Sequence, residues 1–170
     1  PTTGDRGVLK PIVADGQWHK YEWFLDEPSQ WEAWIAAGDG GISGILKVGS
    51  DVESVVFVID KSSSMSTERR LERVKAELIA AIDDLAEKQS FSGVFFDNAV
   101  WPMGYAPYLS GGSIPSALKM ERATPKQKKD AKTWIQSIGP GGGTYPSPAA
   151  MLALTADPEL IVILSDGEFD

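Results

Sequence analysis

One short stretch of this chain concentrates residues able to do chemistry at a single point. In Val55-Val56-Phe57-Val58-Ile59-Asp60-Lys61-Ser62-Ser63-Ser64-Met65, an apolar run with a β-branched bias ends abruptly on a carboxylate, and hydroxyls follow at alternate positions. Such a run reads as a buried strand of a parallel sheet, delivering Asp60, Ser62 and Ser64 to the C-terminal edge of that sheet. Open α/β sheets bind ligands at this edge. The loop offers one anionic and two neutral oxygens to the same place. A hard divalent cation such as Mg2+ takes donors of this type, with water completing its shell.

Two more segments end in the same kind of position. Gly141-Gly142-Gly143-Thr144 breaks a helical stretch, and Ser165-Asp166-Gly167 follows the apolar run Leu160-Ile161-Val162-Ile163-Leu164. The three loops together supply two carboxylates, Asp60 and Asp166, and three hydroxyls, Ser62, Ser64 and Thr144. Two negative charges only neutralise a divalent ion, so a metal held there stays electrophilic toward an incoming anion. Four carboxylates would hold it tighter and repel an acidic ligand. The pattern is that of a metal bridging protein to ligand.

The elements that must position these loops alternate in type from about Asp51 onward. After a first strand over 54–59, Leu71, Val74, Leu78, Ile82 and Leu85 recur at spacings of 3, 4, 4 and 3, one face of an amphipathic helix. Arg69, Arg70, Glu72, Arg73, Lys75 and Glu77 are assigned to its solvated side. A second apolar strand covers 91–96, and Asp97-Asn98 turns into Val100-Trp101-Pro102, where the proline suits an edge strand. Residues 104–123 read as an irregular connection. Thr124-Pro125 then predicts an N-cap and a first-turn proline, opening a helix with Ala131, Trp134, Ile135 and Ile138 turned inward. A short helix is expected over 147–156, before the strand Leu160–Leu164. The fold class that follows is α/β with a doubly wound, mostly parallel sheet.

Val55 to Met65, with Thr144 and Asp166, resembles the von Willebrand factor A family and its metal-ion-dependent adhesion site, Asp-x-Ser-x-Ser…Thr…Asp. The resemblance covers roughly residues 53–170 and implies a doubly wound, Rossmann-like α/β fold. It also implies Ser62, Ser64 and Thr144 as hydroxyl ligands to Mg2+ or Mn2+, with Asp60 and Asp166 acting directly or through water. Many members carry glycine where Ser63 stands, a change that narrows the backbone options of the loop. The family's sheet normally continues past the position of Asp166 with further strand–helix units, so the domain is expected to be an incomplete piece of a longer protein.

Residues 1–48 differ in character. They hold four of the six tryptophans, Trp18, Trp23, Trp31 and Trp34, and the only histidine, His19. Trp18 and residues 21–25 predict a β-strand flanked by turns, one or two strands in all, too few to bury a core alone. The run from Asp15 to Leu25 resembles the closing strands of bacterial concanavalin-like jelly rolls. The expected division is thus a β segment over 1–48 and a von Willebrand factor A-like domain over 51–170. The tryptophans read first as sheet core and second as a sugar-stacking surface.

Composition narrows the function classes. A net charge of −8 argues against nonspecific binding to nucleic acid or anionic membranes, which needs a basic surface, and mildly favours cations. With no cysteine, disulfide scaffolds and thiolate metal sites are excluded. No apolar run approaches the roughly 18–20 residues that span a bilayer.

Competing chemistries fit less well. An aspartate at a strand end followed by serines often only caps the next helix, but Thr144 and Asp166 in register add what a cap does not need. Residues 141–144 lack the Gly-Lys-Ser/Thr of a phosphate loop. Haloacid-dehalogenase-like phosphatases need a second aspartate two residues after the first, and Ser62 stands there. The expected function is therefore a non-enzymatic, metal-dependent protein-binding or adhesion module whose Mg2+ or Mn2+ coordinates an acidic group of a protein partner, with a cell-surface or exported location favoured. The alternatives are a structural or glycan-associated module using the N-terminal β segment, and a subunit of a metal-chelatase or AAA-ATPase-linked complex.

Overall fold

A computed structural model describes residues 8–14, 17–24, 48–105 and 115–165. In the N-terminal part, β1 (Val8–Ala14) and β2 (Gln17–Phe24) form an antiparallel hairpin. Its register runs from Val8 opposite Phe24 to Ala14 opposite Gln17, with a shift between Ile12 and Val13. The strand expected around Trp18 is thus β2, and β1 is its partner. Trp31, Trp34 and the expected site residue Asp166 lie outside the described residues.

A second sheet carries the rest. Its strands are β3 (Ser54–Asp60), β4 (Ser90–Phe96), β5 (Val100–Pro102), β6 (Glu121–Arg122) and β7 (Leu160–Leu164), in the order β5-β4-β3-β7, with β6 also on β4. The long strands β4, β3 and β7 are parallel, and the short β5 and β6 add antiparallel edges. Among the described residues, three α-helices flank the sheet: α1 (Arg70–Asp84), α2 (Pro125–Ser137) and α3 (Pro146–Leu154). This is a mixed α/β fold with a central, mostly parallel sheet and flanking helices, the class expected from the sequence. None of the described helices is long and apolar enough to cross a membrane.

Strand β3 has apolar residues on both faces because both are covered. Val55, Phe57 and Ile59 pack in one cluster with Leu71, Leu78 and Ile82 of α1 and Ile135 of α2. Val56 and Val58 pack on the other side with Ala149 and Leu152 of α3. From β3 the chain passes through α1 to β4 on one side, and later returns through α3 to β7 on the other. That reversal puts the carboxyl end of β3 where ligands of open α/β sheets bind.

Several expectations are met closely. Thr124 caps α2, its hydroxyl accepting the Gln127 N–H at 3.3 Å, and Ala131 and Ile135 face inward. Three details differ. Residues 104–123 include a short strand, β6, whose Arg122 and Glu121 pair with Ser90 and Phe91; two polar residues carry no periodic signal. Lys75 is buried rather than solvated, because it lies four residues after Leu71 and three before Leu78 on the inward face, with Glu72 3.3 Å away. Helix α3 ends at Leu154, and Thr155 and Ala156 form a turn.

Gly93 of β4 has a packing reason. A Cβ there would lie 3.0 and 3.1 Å from the Trp134 ring, which itself packs against Phe95 with ring centroids 5.1 Å apart. Gly93→Ala is expected to lower stability in urea unfolding by about 1–3 kcal/mol, the usual cost of overpacking. An unchanged midpoint would mean that the indole has room to retreat.

Candidate functional site

Asp60 closes β3 and is completely buried. Its Oδ1 accepts the Ser62 N–H at 2.7 Å, which folds the chain back at the strand end. Its Oδ2 accepts the Ser165 hydroxyl at 2.7 Å. The register explains the second bond. Ile59 is opposite Leu164, so the next residues of the two parallel strands emerge side by side.

The loop after Asp60 leads into a 3-10 helix (Ser63–Arg69). Ser62 stands at the N-cap, yet its side chain makes no capping hydrogen bond. Its Oγ instead lies 3.0 Å from Ser64 Oγ, and Ser62 is buried while Ser64 is half-buried. The Ser62 hydroxyl thus bonds to the Ser64 hydroxyl and not to the helix N-terminus.

Thr144 is buried on the loop between α2 and α3. Backbone bonds lace that loop to the one after β3: the Gly141 N–H donates to the Lys61 carbonyl at 2.7 Å, and the Ser63 N–H and hydroxyl both donate to the Gly142 carbonyl at 3.0 Å. From the turn after β4, Asn98 Oδ1 accepts the Gly143 N–H and the Asp97 carbonyl accepts the Tyr145 N–H at 3.3 Å. Gly142 takes φ +82°, and a Cβ there would lie 2.7 Å from Asn98 Oδ1 and 2.8 Å from Asp97 Cβ. Only glycine suits both that backbone angle and that approach.

Beneath these loops lies a group that the sequence reading did not single out. Lys61 turns inward, its Nζ 2.5 Å from Asp97 Oδ2, with side-chain exposures of only 7% and 10%. Asp97 Oδ1 accepts the Ala99 N–H at 2.7 Å and the Trp101 Nε1–H at 3.1 Å. The Lys61 ammonium also sits 4.8 Å from the centroid of the Trp101 ring. Asp97-Asn98 had the composition of a turn, which hid its second task. Ser165 was likewise passed over as a partner of Asp60. Its position directly after an apolar strand was the available signal.

Of the five expected metal ligands, Asp60, Ser62 and Ser64 share one loop and Thr144 lies on the loop bonded to it, while Asp166 is outside the described residues. Among the described residues, no three His, Cys, Asp or Glu side chains gather as a metal-binding group. The candidate donors among the described residues are one carboxylate, Asp60, and the hydroxyls of Ser62, Ser64 and Thr144.

A scan against protein-family models and a search of curated proteins find no match to this chain. Among solved structures, it is similar to a von Willebrand factor type A protein from Catenulispora acidiphila, with 24% identity and a TM-score of 0.44. The likeness covers 55% of this chain and 20% of that one, so the chain spans about a fifth of that neighbour's length.

Proposed function

We propose that this chain is a non-enzymatic protein-binding module that holds Mg2+ or Mn2+ through Asp60, Ser62, Ser64 and Thr144, with Asp166 as the second carboxylate. The bound ion would supply a Lewis-acidic position for a carboxylate of a protein partner. The observation that carries this reading is the Ser62–Ser64 pair beside the buried Asp60. Adjacent ligands of an octahedral Mg2+, each about 2.1 Å from the ion, lie about 3.0 Å apart. The two hydroxyls hydrogen-bond to each other at 3.0 Å, a separation that also suits two adjacent ligands of such an ion. The donor chemistry fits as well, since all four described side chains offer oxygen.

Because three of those donors are neutral, the affinity is expected to be modest. Mg2+ and Mn2+ are favoured over Ca2+, which takes more ligands. The reading is tested by titrating Mn2+ into the protein and following water-proton relaxation, then adding glutarate as a carboxylate probe. Saturable Mn2+ binding is expected, with relaxation enhancement falling as glutarate displaces coordinated water. Mn2+ binding that Ca2+ displaces more readily than Mg2+, or the absence of saturable binding, would overturn it.

A further inference from the structure

We propose that the buried Lys61–Asp97 pair, braced by Trp101, is a positioning element that holds the 141–144 loop in register with the 60–64 loop. The proposal deepens the metal-site reading and rests on it only for the expected effect on metal affinity. Lys61 stands between two candidate donors, Asp60 and Ser62, where a lysine would ordinarily extend into water. Its ammonium instead meets Asp97 Oδ2 at 2.5 Å and lies over the Trp101 ring. A buried ion pair of this kind rarely stabilises a fold more than apolar residues of the same size. Net stability is therefore a poor account of why the pair is there.

The backbone of the same residues supplies a better one. The amides of Gly141, Gly143 and Tyr145 alternate along the loop around Thr144. They donate in turn to the Lys61 carbonyl, the Asn98 side chain and the Asp97 carbonyl. Two of the three acceptors belong to the ion pair and the third to the residue next to it. The salt bridge spans the two strand ends, since Asp60 and Phe96 are partners in the β3–β4 register. The Lys61 N–H already donates to the Phe96 carbonyl at 2.9 Å, and the Lys61–Asp97 side-chain pair adds a second tie beside the two carbonyls from which the Thr144 loop hangs. Trp101 holds the other carboxylate oxygen and prevents Asp97 from rotating away.

The test is the double variant Lys61→Met with Asp97→Asn, which buries no charge and keeps an acceptor for Ala99 and Trp101. Amide hydrogen exchange and Mn2+ titration are read on the same protein. The expected result is at least about tenfold faster exchange at Gly141, Gly143 and Tyr145, unchanged exchange at Val58 and Val94, and about tenfold weaker Mn2+ binding, the range for groups that orient metal ligands. Unchanged loop exchange would overturn the proposal; faster loop exchange with unaltered Mn2+ affinity would support the loop-holding role and separate it from metal binding. If the wild-type protein binds no Mn2+, the metal reading fails while the exchange data still decide whether the pair holds the loop. Should the double variant not fold, Trp101→Phe, which removes the indole donor to Asp97 and keeps a smaller aromatic ring beside Lys61, is expected to shift the same three amides in the same direction; no shift there would overturn the proposal.

Discussion

Asp60→Ala is expected to abolish saturable Mn2+ binding while leaving the circular dichroism spectrum nearly unchanged. Asp60 is the one carboxylate among the described candidate donors, and the hydroxyls of Ser62, Ser64 and Thr144 carry no charge to hold a divalent ion alone. The fold should survive because two opposing terms partly cancel. The buried Ser62 N–H loses its acceptor, at about 1–3 kcal/mol for a group left unsatisfied, while the half-buried Ser165 hydroxyl loses one bond at lower cost. Against this, a carboxylate no longer has to be kept out of water. A second readout separates binding from folding. A ligand at 100 times its Kd stabilises the protein that binds it by about 2.7 kcal/mol, so Mn2+ should raise the wild-type Tm and leave the variant's unmoved. Equal calorimetric titrations of the two proteins would rule out Asp60 as a ligand.

Breaking the Lys61–Asp97 pair from its two ends is expected to give unequal losses of stability. Asp97→Ala leaves the Lys61 ammonium buried with no acceptor among the described residues, and it also strips the Ala99 N–H and Trp101 Nε1–H of theirs. Removing one partner of a buried pair costs about 3–5 kcal/mol, a large share of the roughly 5–15 kcal/mol that holds a domain together. Lys61→Met should cost less, because Asp97 keeps two N–H donors and methionine fills much of the lysine's volume. Urea unfolding with unchanged slopes measures both. Losses below about 1 kcal/mol for both would mean that water reaches the pair and screens it; equal larger losses would mean that the two remaining N–H donors do not compensate Asp97.

Local pattern was enough to identify most of the elements. The apolar spacing from Leu71 to Leu85 located α1, Thr124-Pro125 marked the start of α2, and the uninterrupted apolar runs marked β3 and β7 as strands covered on both faces. The same logic brought Asp60, Ser62 and Ser64 to a strand end, because residues so close in sequence have little choice of where to go. Polar residues at the margins were misread for an equally local reason. Lys75 has a side chain whose type says surface while its position along the helix buries it, and β6 has two polar residues, one half-buried and one exposed, that only pairing with β4 makes a strand.

The amino-acid sequence by itself determined the strand and helix periodicities, the glycine at 142 and the cluster of oxygens after β3. Only the tertiary structure decided which loops meet. The Ser165–Asp60 bond joins residues 105 apart and the Lys61–Asp97 pair residues 36 apart, and both depend on strand register. Register is set by how two covered faces of a sheet pack against α1, α2 and α3 together, and no single window of sequence contains that information. Lys61 shows the difference most directly. In sequence it is an unremarkable charge between two candidate ligands; in the folded protein, parallel pairing of β3 with β4 sets Asp97 beside it and turns it inward.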